Sequence, residues 1–176
     1  MSNLVSNAGV VATDTTGVGT ARNILSATEY GTDKGIFAYG FTGSRVSISN
    51  LVSNAGVIAT DTTGVGTVRS GPGACAYGST GQGIFAYGYS SSHISVSNLV
   101  TNLGVVGSDV SGVGTARVYV KATEYGGDKG IFAYGHDGSA SNLSNKVSNS
   151  GVIAADTTGV GTARWNLGAC GYSITA

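Results

Sequence analysis

A twenty-residue stretch, Asn3 to Arg22 (NLVSNAGVVATDTTGVGTAR), returns three more times along the chain, at Asn50–Arg69, Asn98–Arg117 and Asn145–Arg164. The aspartates Asp14, Asp61, Asp109 and Asp156 fall 47, 48 and 47 residues apart, and the arginines Arg22, Arg69, Arg117 and Arg164 keep the same spacing. A fixed period of this length means one supersecondary unit repeated, each copy burying a face it cannot bury alone. Units 3–49, 50–97, 98–144 and 145–176 then make up a single repeat domain. A longer period overlies the first. Units one and three share ATEYG (Ala27–Gly31, Ala122–Gly126), while units two and four share GAC (Gly73–Cys75, Gly168–Cys170).

Within a unit the order is constant. Arg22–Tyr30, Ile36–Phe41, Arg45–Ser49 and Val57–Thr60 are candidate strands, rich in Val, Ile, Thr, Tyr and Phe. Gly31–Gly35, Thr42–Ser44, Asn50–Gly56 and Asp61–Gly66 read as the turns between them. In Arg45–Ser49, Val46 and Ile48 alternate with polar residues, the period of a half-buried strand. No window carries a helical period, which disfavours helical solenoids. Four short strands per unit is the make-up of a propeller blade. The expected fold is all-β: a β-propeller-like ring of about four four-stranded blades of 47–48 residues. The sequence starts inside a unit and runs through the first strand of another (Arg164–Tyr172), so the termini are expected to share one blade. That blade lacks an IFAYG strand unless Ser173–Ala176 substitutes or a neighbouring chain completes it. A larger ring of two chains and a β-solenoid stay open beside this reading.

These residues resemble kelch-type propeller blades. Arg22, Ile36-Phe37-Ala38-Tyr39-Gly40 and Asn50-Leu51-Val52-Ser53-Asn54 stand where the kelch pattern has its arginine, its glycine-ended strand and its Asn-containing turn. Thr101-Asn102 and Ser148-Asn149 repeat the end of that turn. Phe41, Tyr89 and His136 replace the second glycine of the kelch doublet, and Gly56, Gly104 and Gly151 stand at its tryptophan position. The wording VATDTTGVGTAR with IFAYG is also similar to tandem-repeat proteins encoded by marine bacteriophages and uncultured viral genomes. That resemblance implies a virion or tail component.

Composition narrows the function. Only 10% of the 176 residues are charged and the net charge is zero, with nine basic residues spread over the units. Nucleic-acid binding runs on clustered Lys and Arg, so no nucleic-acid partner is expected. Low charge also gives little electrostatic protection against self-association, and the resemblance to viral repeat proteins implies other virion proteins as partners. No stretch reaches 18 consecutive apolar residues and no secretory leader is expected, so neither is a membrane partner. Cys75 and Cys170 occupy the same repeat position two units apart and are expected to be two buried free thiols. His93 and His136 are not at zinc spacing with either, so neither a metal nor a cofactor is expected.

The repeated aspartates and arginines read as scaffold. Asp14, Asp61, Asp109 and Asp156 each precede a Thr/Val-Thr/Ser-Gly turn and are expected to accept backbone N–H bonds within it. The arginines are expected to bond loop carbonyls or pair with the aspartates across blades; a ring of four positive charges holding an anion is the alternative. The GVG turns lack the Lys-Ser/Thr of a phosphate loop, and there is no GxSxG or HExxH. Glu29/Asp33 and Glu124/Asp128 could form a glycosidase-like dyad, against a reading as solvated acids. No catalytic residue is assigned. The units differ most in the loop after IFAYG: Phe41 to Arg45, Tyr89 to His93, His136 to Ala140. Phe41, Arg45, Tyr89, His93, His136 and Asp137 mix aromatic, polar and charged groups, which suits carbohydrate; neutral drift of exposed loops is the plain alternative. Three functions follow: a structural or adhesive repeat protein, a lectin-like module, or, least supported, a hydrolase.

Overall fold

The computed structural model describes residues 1–171. These residues contain no helix. They form nine strands in three antiparallel sheets, each of three strands in sequence order. The first sheet holds β1 (Ser26–Tyr30), β2 (Lys34–Ala38) and β3 (Ser49–Val52). The second holds β4 (Gly73–Tyr77), β5 (Gln82–Ala86) and β6 (Ser97–Val100), and the third β7 (Lys121–Tyr125), β8 (Lys129–Ala133) and β9 (Ser144–Val147). Register is the same in all three: Ile36 lies opposite Leu51, Ile84 opposite Leu99, and Ile131 opposite Lys146.

The sheets stack in one direction. Alternate residues of a strand point to opposite faces. In β2, Ile36 and Ala38 are fully buried while Phe37 is only half-buried. In β8 the pattern inverts, with Phe132 fully buried and Ile131 half-buried. In β5 both Ile84 and Phe85 are fully buried. The middle sheet is thus covered on both faces, by the Ile36 face of the sheet before it and the Phe132 face of the sheet after it. Two cores result. One gathers Tyr30, Ile36, Ala38 and Tyr39 with Phe85 and Val100; the other gathers Cys75, Tyr77, Ile84, Ala86 and Tyr87 with Val120, Phe132 and Val147. At each seam a tyrosine meets the next unit's phenylalanine edge-on, with ring centroids 5.5 Å apart for Tyr39–Phe85 and 5.4 Å for Tyr87–Phe132.

Glycine permits this approach. A Cβ on Gly83 would lie 2.8 Å from Thr28 Cγ2, and one on Gly130 would lie 2.5 Å from Cys75 Sγ. Gly35, the same position in the first sheet, would meet nothing closer than 3.6 Å.

Three sheets stand where about four four-stranded blades were expected. The fourth run pairs with the third strand only through isolated bridges, Ser49↔Thr62 and Val52↔Ile58 at β3. The two bridges differ in register by one residue, so a bulge separates them, and within it Asn50 Nδ2 donates to the Ala59 carbonyl (3.1 Å). The N-terminal copy shows the same two bridges, Ser2↔Thr15 and Val5↔Val11, with no sheet beside them. Arg164–Gly171 forms no strand, having no IFAYG segment to pair with. Tyr172 and the proposed substitute strand Ser173–Ala176 lie outside the described residues.

Boundaries also differ from expectation. The third strand begins at Ser49 rather than Arg45, because Val46 N–H donates to the Gly40 carbonyl and closes a loop before pairing with β2 starts. Asn50, expected in a turn, is buried in the strand. The first strand starts at Ser26 because Ile24 takes a left-handed φ of 53°, and the second stops before Tyr39 at φ 65°. Tyr87 and Tyr134 repeat that conformation at 64° and 61°. It costs a non-glycine residue on the order of 1–2 kcal/mol. The seam contacts of Tyr39 and Tyr87 offset this cost.

Candidate functional site

Between units, the repeated polar residues form a latch. Asp61 Oδ2 accepts from the backbone N–H and the hydroxyl of Thr20 (2.9 and 2.6 Å), one unit earlier in the chain. Its Oδ1 accepts from Asn50 Nδ2 at 2.8 Å, and Arg22 donates to Asn50 Oδ1 at 2.6 Å. Asp109 takes Thr67 and Asn98 in the same way. Asp156 takes Thr115 and Asn145, with Arg117 Nη1 3.4 Å away. The aspartates therefore bond across units, not within their own turn as the sequence suggested. Their carboxylates take the N–H of the threonine that ends the preceding unit's GVGT loop. Asp14 has only Asn3 Nδ2, at 2.9 Å, among the described residues.

The arginines complete the latch. Arg69 and Arg117 are fully buried. Each guanidinium covers the preceding tyrosine ring, at 3.7 Å from Tyr39 for Arg69 and 4.6 Å from Tyr87 for Arg117. Arg117 also donates to the carbonyls of Tyr134 (3.0 Å) and Thr115 (3.0 Å) and to Asn145 Oδ1 (2.7 Å). Arg164 covers Tyr134 at 3.9 Å and stays exposed. Buried and engaged, Arg69 and Arg117 cannot belong to an open ring of charge that holds an anion. Hydrogen bonds from Thr20 and Asn50, with the Arg22 charge, hold the Asp61 carboxyl below the usual range. Burial alone would raise Asp109 and Asp156, but their threonine, asparagine and arginine partners bring both below it.

The variable loops meet at one end of the stack. Phe41, Tyr89 and His136 are each clamped by bridges, to Asn23, Ser70 and Val118 on one side and to Arg45, His93 and Ala140 on the other. Side chains of these loops follow one another in a row of contacts. The Arg45 guanidinium lies 4.5 Å over the Tyr89 ring and 6.0 Å from Phe41. Tyr89 meets His93 edge-on at 5.2 Å, His93 lies 5.9 Å from His136, and His136 5.7 Å from Trp165. Trp165 in turn stacks on Tyr119 at 5.5 Å. Phe41, Arg45, Tyr89 and His93 line a cavity of about 430 Å³ together with Ile24, Ser70, Val118 and Tyr119.

A second cavity shares Ile24 and Tyr119 with the first, and a third shares Leu25, Ser26 and Lys121 with the second. The second, of about 420 Å³, is lined by Ile24, Tyr119, Lys121 and Trp165 among others, and the third, of about 240 Å³, by residues around Ser26, Ala74, Lys121 and Ala169. Their linings come from the segment after the repeated arginine in all four units. Those segments also bond to one another, Gly71 N–H to the Ile24 carbonyl (2.8 Å) and Tyr119 N–H to the Gly71 carbonyl (3.0 Å).

Of the six loop residues singled out from sequence, four line the first cavity and His136 flanks it. Asp137 does not join them; its carboxylate bonds Ser139 within its own loop. Tyr119, Trp165 and Ile24 were missed. The positions one and two after each arginine read Asn23-Ile24, Ser70-Gly71, Val118-Tyr119 and Trp165-Asn166. They vary between units as much as the loops do, and that variation was the available signal.

Other candidates for chemistry are accounted for by local partners. Asp33 and Asp128 bond the adjacent Lys34 and Lys129 at 2.5 Å and the amides of Asn54 and Asn149 at 3.2 Å. Glu29 is pushed up by burial and then by the charge of Glu124. Among the described residues no three His, Cys, Asp or Glu side chains converge on one point. Both cysteines are free, but only Cys75 is buried; Cys170, with no sheet around it, is exposed. Burial pushes the Cys75 thiol up to about 12.

No family model matches the chain, and no curated protein matches it.

Proposed function

We propose that this is a non-enzymatic adhesive repeat protein whose variable loops form a carbohydrate-binding cavity. The observation that carries the reading is the cavity of about 430 Å³ walled by Phe41, Tyr89, His93, Tyr119 and Arg45. Ligand sites are concave and largely apolar, with a few polar groups that fix orientation. Aromatic rings offer flat apolar faces to the C–H face of a sugar. The Ser70 hydroxyl, His93 and Arg45 supply hydrogen bonds for its hydroxyl groups. The latched sheets behind the loops give a rigid support, as binding loops need.

The finer architecture we propose is propeller-like, with the segments after the four arginines around one axis. Its support is that cavities two and three draw their walls from all four of these segments. Glu29 and Glu124, at one repeat position two units apart, also feel each other's charge. The cavity would then lie at one mouth of the axis. A virion surface is the setting to which the repeat wording points, with other virion proteins or further copies as neighbours.

A glycan array tests the function. The protein binds a restricted set of saccharides, and Tyr89→Ala abolishes that binding while the thermal midpoint stays within a few degrees. Retention of the same glycans by Tyr89→Ala removes the proposed site.

A further inference from the structure

We infer that the saccharide taken by this cavity is acidic, and that Arg45 holds its carboxylate. The inference rests on the carbohydrate reading above. Arginine is present in both the latch and the cavity, and the two environments differ. Arg22, Arg69 and Arg117 each donate hydrogen bonds to protein acceptors. The Nε of Arg45 is buried without a partner, as are those of Arg22 and Arg69; what sets Arg45 apart is that its terminal nitrogens also make no hydrogen bond or salt bridge among the described residues. Its guanidinium carbon lies over the Tyr89 ring at 4.5 Å and 6.0 Å from the Phe41 ring, and its terminal N–H groups have no acceptor among the described residues.

A guanidinium whose terminal N–H groups have no acceptor is unsatisfied, and the edge they form matches a carboxylate in two parallel bonds. The walls add to this preference. No aspartate or glutamate lines any of these three cavities, whereas Arg45 lines the first and Lys121 the second and third. Lys121 likewise has no carboxylate partner among the described residues. In a chain of zero net charge, this excess of positive charge is local to the cavities. Tyr119 and Ile24 wall both the first and the second cavity, so a chain of sugars can bring one carboxylate to Arg45 and extend toward Lys121.

Calorimetric titration of the whole chain with tetragalacturonic acid and with its carboxyl-reduced counterpart tests this. The acidic form should bind at least about tenfold more tightly, since a charge-assisted bidentate pair is roughly twice as strong as a neutral bond. Arg45→Gln should lose about that factor for the acidic form, with Arg45→Lys in between because it keeps charge but not the fork. The two ligands on the unsubstituted protein give the answer even where a variant folds poorly. Equal binding of both forms would overturn the inference and leave the carbohydrate reading standing. Binding of neither would overturn both. Competition by sodium acetate at equal carboxylate concentration would show an adventitious anion only, and would also overturn it.

Discussion

Replacing Asp156 with alanine removes the acceptor of one inter-unit latch, while replacing Asp14 removes the same repeat residue where no preceding unit reaches it. Asp156 accepts from Thr115 N–H, Thr115 Oγ1 and Asn145 Nδ2 at 2.9, 2.7 and 2.9 Å, and it faces the fully buried Arg117 at 3.4 Å. Removing one partner of a buried pair costs about 3–5 kcal/mol when the remaining charge is left without compensation. Arg117 keeps the Tyr134 and Thr115 carbonyls and Asn145 Oδ1, and the Asp156 side chain is 27% exposed, so the lower end applies. The expected loss for Asp156→Ala is therefore about 3 kcal/mol. Asp14 makes one exposed hydrogen bond, to Asn3, and Asp14→Ala should stay within about 0.5 kcal/mol. In urea, with a slope of about 2 kcal/mol/M, the first substitution lowers the unfolding midpoint by about 1.5 M and the second leaves it nearly unchanged. Equal shifts for the two would refute the latch. A purely local turn role predicts that result, because the turn sequence is the same at both sites.

Other outcomes follow from the same contacts. Gly130→Ala places a Cβ 2.5 Å from the buried Cys75 Sγ and should cost about 1–3 kcal/mol, whereas Gly35→Ala, with 3.6 Å of room, should be neutral or slightly stabilising in thermal melts. Ellman's reagent should titrate one thiol in the native chain, Cys170, and two after denaturation, because Cys75 is buried and pushed up to about 12. Acid should weaken the fold. Asp61, Asp109 and Asp156 are lowered in the folded state, so the stability they contribute is present above the unfolded carboxyl value of about 3.9 and is lost as pH falls through their folded values. Glu29 acts in the opposite sense: being raised, it contributes stability at low pH that is lost as the pH rises through its folded value. Three lowered groups outweigh one, and thermal midpoints should drop below about pH 4, less steeply in Asp156→Asn.

The repeat period and the strand-forming composition made the all-β class legible. What the sequence could not show is which copies end up covered. The segment GIFA is identical in β2, β5 and β8, yet Phe37 is half-buried where Phe85 and Phe132 are fully buried. Burial there is set by the neighbouring sheet, not by local pattern. Asn50 misled for a related reason. Asparagine is a turn former by local hydrogen bonding, but here its amide spans Ala59 and Asp61, inside a strand. The aspartates looked like turn residues because their partners, such as Thr20 for Asp61, lie one unit away in sequence.

The candidate site was partly legible because loops that differ between copies also meet in space. Phe41, Arg45, Tyr89 and His93 occupy one repeat-related loop, so stacking the units brings them together without any further information. Asp137 belongs to the same loop but its carboxylate is satisfied by Ser139. Tyr119 and Trp165 vary between units, but they lie in segments that read as the start of a strand. Only the left-handed backbone at Ile24, Tyr119 and Asn166, with φ of 53°, 56° and 57°, shows that the strand begins later and leaves these positions at the cavity wall.

A crystal structure of the protein grown with tetragalacturonic acid tests the central claim most directly. The account predicts a sugar ring packed on the aromatic wall beside Tyr89, with a carboxylate at the Arg45 guanidinium. A saccharide bound elsewhere, with the Tyr89 cavity occupied only by solvent, would contradict it.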